Sequence, residues 1–181
     1  MKFGRASVEC DATDYAILEL LQENCKQPLA AIGEKVGLSA PSVVERIHKL
    51  EEAGVVLAYT AVLDPRKLGR DITAFIGVST DRPGAIDRVE REVSAMDEVL
   101  ECHHVTGGYT LMLKVKTQNT ESLERLIDNV RSVDGVSRTE TMVVLSTHTE
   151  RSRIALDVDE VLPERPRRGK RRAPDLEDDG G

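Results

Sequence analysis

Residues 28–54 read PLAAIGEKVGLSAPSVVERIHKLEEAG, and the punctuation of this stretch decides the first half of the fold. Pro28 suits the first turn of a helix. Leu29, Ile32 and Val36 follow at spacings of three and four, the mark of an amphipathic helix. Gly37 stands where a helix-ending glycine belongs. Ser39 is placed to cap the next helix, with Pro41 in its first turn. Val43, Ile47 and Leu50 form its inner face, and Gly54 ends it. Two short helices joined by a tight Gly37-Leu38-Ser39 turn describe a helix-turn-helix.

Upstream, Asp11 can cap a first helix, with Asp14 three residues on in a near capping box. Ile17, Leu18 and Leu21 are its expected apolar stripe, and Asn24–Pro28 breaks it. Downstream, Val55–Val62 is apolar and β-rich and reads as a strand leaving the helices; Asp64-Pro65 then marks a turn. These features place a helical domain at 11–62 and a linker at 63–70.

Residues 71–150 alternate between strand and helix patterns. Ile72, Ala74, Ile76 and Val78 have period two; Ile86, Val89, Val93 and Met96 have helical spacing. Val99–Val105 reads as a strand, Gly107-Gly108 as a two-residue type I′ hairpin turn, and Tyr109, Leu111, Leu113 and Val115 as the returning strand. Leu123, Leu126, Ile127, Val130 and Val133 make a second helix, stopped by Asp134-Gly135, and Val136–Thr147 is a last β run. The order βαββαβ is that of the ferredoxin-like split βαβ, so the fold class is α+β. With helices on one face of the sheet only, the other, carrying Phe75, Gly77, Met112, Met142 and Val144, is expected to seek a partner, and a homodimer packed through the sheets follows.

The chain has 181 residues, 25 Lys and Arg against 32 Asp and Glu, and a formal net charge of −7. Residues 1–60 hold six basic and nine acidic residues, 61–150 eleven and fifteen, and 151–181 eight of each, so no region is globally basic. The window Lys26–Leu50 differs: Lys26, Lys35, Arg46 and Lys49 face only Glu34 and Glu45, a net +2. Residues 157–181, with Arg165–Arg172 followed by the acids up to Asp179 and three prolines, read as a disordered charged tail. No apolar run of about 18 residues offers a membrane span, and the N-terminus lacks the apolar core of a secretory signal. Three cysteines, Cys10, Cys25 and Cys102, suit neither a disulfide scaffold nor a zinc ribbon, so a cytoplasmic protein is expected.

A helix-turn-helix has a definite DNA chemistry: the third helix enters the major groove with its N-terminal half towards base edges. Its expected DNA-facing residues are Ser39, Ser42, Glu45, Arg46, His48 and Lys49. Arg46 suits guanine O6/N7 or a phosphate, and Lys49, later on the helix, a phosphate. Double-stranded DNA is the expected partner and a membrane is not. Cys102, His103 and His104 alternate along a strand and lack metal-ligand spacing; no base and orienting group accompany Cys102 as a nucleophile. No metal, cofactor or catalytic residue is therefore assigned, and no enzyme is expected.

The stretch Leu29–Ser39, then Arg46–Gly54, then Tyr59-Thr60-Ala61 resembles the leucine-responsive regulatory protein (Lrp)/AsnC transcription factors. Glu101–Gly107, Lys114 and Val133–Val136 resemble that family's regulatory domain, and the likeness runs in order from about Asp11 to Leu156. The resemblance implies a winged-type helix-turn-helix, a ligand-sensing ferredoxin-like domain, dimers that assemble into higher oligomers, and amino acids or related metabolites as effectors. It maps the effector site to Thr106, Gly107, Gly108, Tyr109 and Thr110, with Thr141 and Met142 facing them from the last strand. The family's hairpin often reads Gly-Asp-aromatic-Asp, and this chain has Gly108 and Thr110 at the two Asp positions. Two rivals share the architecture: a tetrapyrrole-processing decarboxylase, and an effector or assembly module without DNA binding, for which Glu45 on the presumed DNA face is the best support.

Overall fold

The computed structural model describes residues 9–156. The expected tail at 157–181 lies outside them. The chain divides into two compact units: residues up to Thr60 together with the segment from Arg151, and Ala61–Glu150.

The first unit is three helices, α1 (Ala12–Glu23), α2 (Leu29–Val36) and α3 (Ala40–Glu52). Local signals set their ends. Asp11 and Asp14 form a reciprocal capping box at α1, with the Asp14 amide donating to Asp11 Oδ1 at 2.8 Å and the Asp11 amide to Asp14 Oδ2 at 3.0 Å. Gly37 closes α2 in the left-handed conformation (φ 74°), and the Ser39 side chain caps α3. Ile17, Ile32, Val43 and Ile47 form the core, joined by Leu20, Leu21, Val36 and Leu38. Leu20 thus takes the place expected for Leu18: the buried face of α1 is phased by Asp14, Ile17 and Leu21, and Leu18 turns off it. Gly33 sits where a β-carbon would collide with the Leu38 carbonyl, so the turn packs directly on α2. From Arg151 the chain returns to this unit. The Ile154 backbone exchanges hydrogen bonds with the Gln22 side chain (2.9 and 3.2 Å), and Arg153 pairs with Glu19 and Glu23.

The expected strand at 55–62 does not form. The Val55 and Val56 amides fold back onto the Leu50 carbonyl (2.9 and 3.2 Å), and Leu57 and Val62 are 85 % and 87 % exposed. A strand is held by a neighbour's hydrogen bonds and side chains, and no strand among the described residues lies beside this one.

The second unit is a four-stranded antiparallel sheet of order β2-β3-β1-β4, made of β1 (Ile72–Thr80), β2 (Val99–His104), β3 (Leu111–Thr117) and β4 (Val136–Val143). Helices α4 (Ile86–Ser94) and α5 (Thr120–Ser132) cover one face. Ala74, Ile76 and Val78 of β1 and Leu111, Leu113 and Val115 of β3 meet Val89, Val93, Leu126 and Val130 there, all 2 % exposed or less. The alternation that reads as strand in the sequence is thus the alternation between this core and the open face. β4 ends at Val143 rather than Thr147, although the Val144 amide still reaches the Thr73 carbonyl at 2.9 Å.

The β2–β3 connection also differs from expectation. Val105 donates to Thr110 at 3.1 Å across a four-residue loop, and only Gly107 of the two glycines has positive φ (116°). A type I′ turn needs positive φ at both central residues, so the turn is a longer one and Tyr109 belongs to it rather than to β3.

Candidate functional site

Two regions hold the residues expected to act. The first is the outer face of α3. Burying Val43, Ile47 and Leu50 inward turns Val44, Glu45, His48 and Lys49 outward, with Ser39 exposed at the N-terminus and Ser42 and Arg46 half-buried at its flank. Ser39 and Ser42 share a hydroxyl–hydroxyl bond at 2.9 Å. His48 lies 3.3 Å from Glu52 one turn on. All six residues expected at DNA therefore sit on one helix and its cap. Val44, 45 % exposed in the middle of this face, is an addition. Its apolar exposure on an otherwise polar face is a sequence signal, and an aliphatic group there suits a thymine methyl.

Arg46 is more constrained than a groove-facing side chain need be. Its Nη1 donates to Asp11 Oδ2 at 2.8 Å and to Asp14 Oδ1 at 2.7 Å. Asp14 is 4 % exposed, a carboxylate that burial alone would disfavour. The α1 cap and the α3 side chain thus satisfy one another. The capping amide of Asp14, followed by the Arg46 guanidinium, holds the Asp11 carboxyl below its ordinary range, and the two carboxylates raise Arg46 in turn. The Nε and Nη2 edge of Arg46 makes no bond among the described residues, so one donor fork stays available for a base or a phosphate.

The second region is the β2–β3 hairpin and the open sheet face. Thr110 is fixed by its amide to the Val78 carbonyl (2.8 Å) and by its hydroxyl to the Thr80 amide (3.3 Å). The Tyr109 ring lies flat on Gly77, where a β-carbon would stand 2.7 Å from it. The neighbouring Glu140 carboxylate raises the Tyr109 pKa above its ordinary value. Arg138 pairs with Glu140 at 2.9 Å. Thr106–Thr110 are brought together, but the two β4 residues expected opposite them are not. Thr141 pairs with Ile76 and turns to the helical face, while Met142 pairs with Phe75 on the open face. Glu140, which pairs with Gly77, is the β4 residue beside Tyr109. No sequence signal announces it, because the meeting depends on sheet register.

Away from the hairpin, the open face is more polar than expected and partly covered by its own chain. Lys114, 18 % exposed, bridges Glu101 (3.1 Å) and Glu150 (2.6 Å), and His103 lies 3.1 Å from Glu101. The His103 and Lys114 bonds hold the Glu101 carboxyl low, and Lys114 does the same for Glu150. Glu150 reaches β3 because residues 144–150 turn across the sheet, leaving a cavity of about 400 Å³ with Phe75 and Lys114 in its lining. Cys102 faces the helices, where burial pushes its thiol up.

Residues 11–51 match the AsnC-type helix-turn-helix domain, and residues 73–154 match the Lrp/AsnC ligand binding domain. The chain is 36 % identical over 149 residues to the HTH-type transcriptional regulator FL11 of Pyrococcus horikoshii, covering 82 % of this chain and 98 % of that one. It is 31 % identical over 140 residues to the regulatory protein AsnC of Escherichia coli, covering 75 % and 90 %. Among solved structures, the transcriptional regulator NMB0573 of Neisseria meningitidis, in complex with L-methionine, superposes with a TM-score of 0.78 at 29 % identity, over 82 % of this chain and 98 % of that one.

Proposed function

The chain belongs to the Lrp/AsnC family of DNA-binding transcriptional regulators, and from that membership we propose how it reads DNA and what controls it. The observation that carries the reading is α3, whose buried stripe fixes which residues are presented to a groove. Ser42, Glu45 and Arg46 read base edges, with Glu45 suited to a cytosine amino group. Ser39, His48 and Lys49 take phosphates and set the register. Arg46 acts through its unpaired Nε/Nη2 fork, with its orientation fixed beforehand by Asp11 and Asp14. The DNA-binding domain spans 11–62, the linker 63–70 and the regulatory domain 71–150. The protein works in the cytoplasm as a homodimer that builds higher oligomers, on a pseudo-palindromic operator with half-sites about one helical turn apart. Regulation rather than catalysis is its role.

The effector is an amino acid or a close relative, bound at Thr106–Thr110 near the end of β4. The methionine complex of a structural neighbour supports this class of ligand. Such a ligand acts only through a difference in affinity between two assembly or domain arrangements.

The test is fluorescence anisotropy on the DNA upstream of the protein's own gene, with a scrambled duplex as competitor and a salt series. Sequence-preferring, salt-dependent binding is expected. Equal affinity for both duplexes at every salt concentration would overturn the reading.

A further inference from the structure

Arg165, Arg167, Arg168, Lys170, Arg171 and Arg172 place six cations within eight residues that hold no acid, in a chain of net charge −7. The run lies past residue 154, where the match to the ligand binding domain ends, and outside the described residues. Its root is described. The segment from Arg151 belongs to the helical unit and not to the sheet unit that it leaves. Arg153 pairs with Glu19 and Glu23, and the Ile154 backbone exchanges two hydrogen bonds with the Gln22 side chain. These three partners stand at spacings of three and four on one face of α1. Eight residues separate Leu156 from Arg165, an extended reach of about 30 Å. The twelve-residue α1 is about 18 Å long, so a duplex seated on α3 of the same unit lies within that reach. Between its cations the run has only Pro166 and Gly169, with no large apolar side chain to enter a membrane or a protein groove. Its chemistry is that of phosphate binding, and the unit that holds its root is the unit that holds DNA.

We propose that residues 165–172 form a DNA-binding arm, rooted on α1 by Arg153 and Ile154, that takes phosphates of the duplex held by α3. The arm rests on the DNA-binding reading above and adds to it a second contact outside both family domains. It supplies cations that the recognition region lacks, since Lys26–Leu50 is only net +2. Phosphates carry no base identity, so the arm raises affinity for every sequence alike and leaves the choice of operator to α3. The root keeps the run beside the bound duplex, so its contacts form at high effective concentration once α3 has docked. Asp175, Glu177, Asp178 and Asp179 follow the run without cancelling it: residues 165–181 keep a net charge of +2.

The experiment is fluorescence anisotropy of the full-length protein on the duplex upstream of its own gene and on a scrambled duplex, across a salt series. In one variant all six cations of the run are changed to Gln; the run belongs to neither family domain, so this variant should melt with the wild type. With three of the six engaged in each subunit of a dimer, its slope of log affinity against log salt should be shallower by about 5. At about 0.1 M salt it should bind both duplexes at least about tenfold more weakly, by the same factor for each. Arg153→Gln loosens the root. It should weaken the wild type and leave the six-Gln variant unchanged, because the arm it positions is already gone. If the wild type binds neither duplex, the DNA reading and the arm fail together. If the wild type and the six-Gln variant bind with the same affinity and slope, the arm is wrong and the DNA reading survives. A loss confined to the operator duplex, or an equal loss from R153Q in both backgrounds, would also overturn the rooted phosphate arm.

Discussion

Arg46 ties the first helix to the third through a single nitrogen shared by two carboxylates. Its loss would leave Asp14, only 4 % exposed, without its cation. Arg46→Ala should therefore destabilise the helical unit by about 2 kcal/mol, the order of a hydrogen bond to a charged group. Denaturant melts followed by dichroism would measure it. In an Asp14→Asn background the same substitution should cost clearly less, because the pair is already broken; equal costs would show that the two do not act together. Asp11 adds a pH dependence of known sign. Its folded carboxyl lies below its ordinary value, so its stabilisation is complete above the ordinary carboxylate range, about pH 4, and fades as pH falls through the depressed value. Asp11→Asn keeps a good N-cap and should flatten the acid limb of the melting curve. A limb as steep as the wild type's would assign the acid sensitivity elsewhere.

At the scale of elements, the helices were legible because their ends are written locally. Asp11 with Asp14, Gly37, and Ser39 before Pro41 act within one turn, and each stands where the fold uses it. Ser39→Ala should accordingly cost about 1 kcal/mol of stability, and more in DNA affinity if its hydroxyl also meets a phosphate. A melt and an anisotropy titration on one variant separate these effects. The alternation of β1 and β3 was equally readable, because one face of each strand is core. What misled was whatever depends on a distant partner. Residues 55–62 have strand composition but no strand beside them. The paired glycines at 107–108 suggested a two-residue turn, whereas the hydrogen bonds of Val105 and Thr110 make a longer one. The same limit applies to the functional regions. The outer face of α3 follows from helical period alone. The meeting of Tyr109 with Glu140, thirty-one positions apart, follows from the pairing of Gly77 with Glu140 across β1 and β4. Gly33 is explained only by the fold: a glycine inside a helix costs about 1 kcal/mol against alanine, and here a β-carbon would collide with the Leu38 carbonyl.

At the scale of the whole molecule, a net charge of −7 has to be reconciled with a polyanionic partner. The charge is not spread evenly, since Lys26–Leu50 is net +2. Yet Arg46 has one nitrogen committed to carboxylates, and His48 lies against Glu52. The helical unit of each subunit therefore offers only a few phosphate contacts. Each phosphate neutralised by a cationic side chain contributes about −0.9 to the slope of log affinity against log salt. From the helical units alone, three per subunit in a dimer give a slope of about −5, and a lone subunit about half that. Useful affinity must then come from joining several weak contacts in one assembly, where the second binding step occurs at high effective concentration. The expected outcome is a link between assembly and DNA binding. When the protein is diluted through the range in which sedimentation shows the assembly separating, its affinity for operator DNA should fall by at least about a hundredfold, and the salt slope should halve with it. An affinity and slope that stay constant through that dissociation would mean that a single subunit suffices, and that its few cations bind DNA more strongly than their number allows.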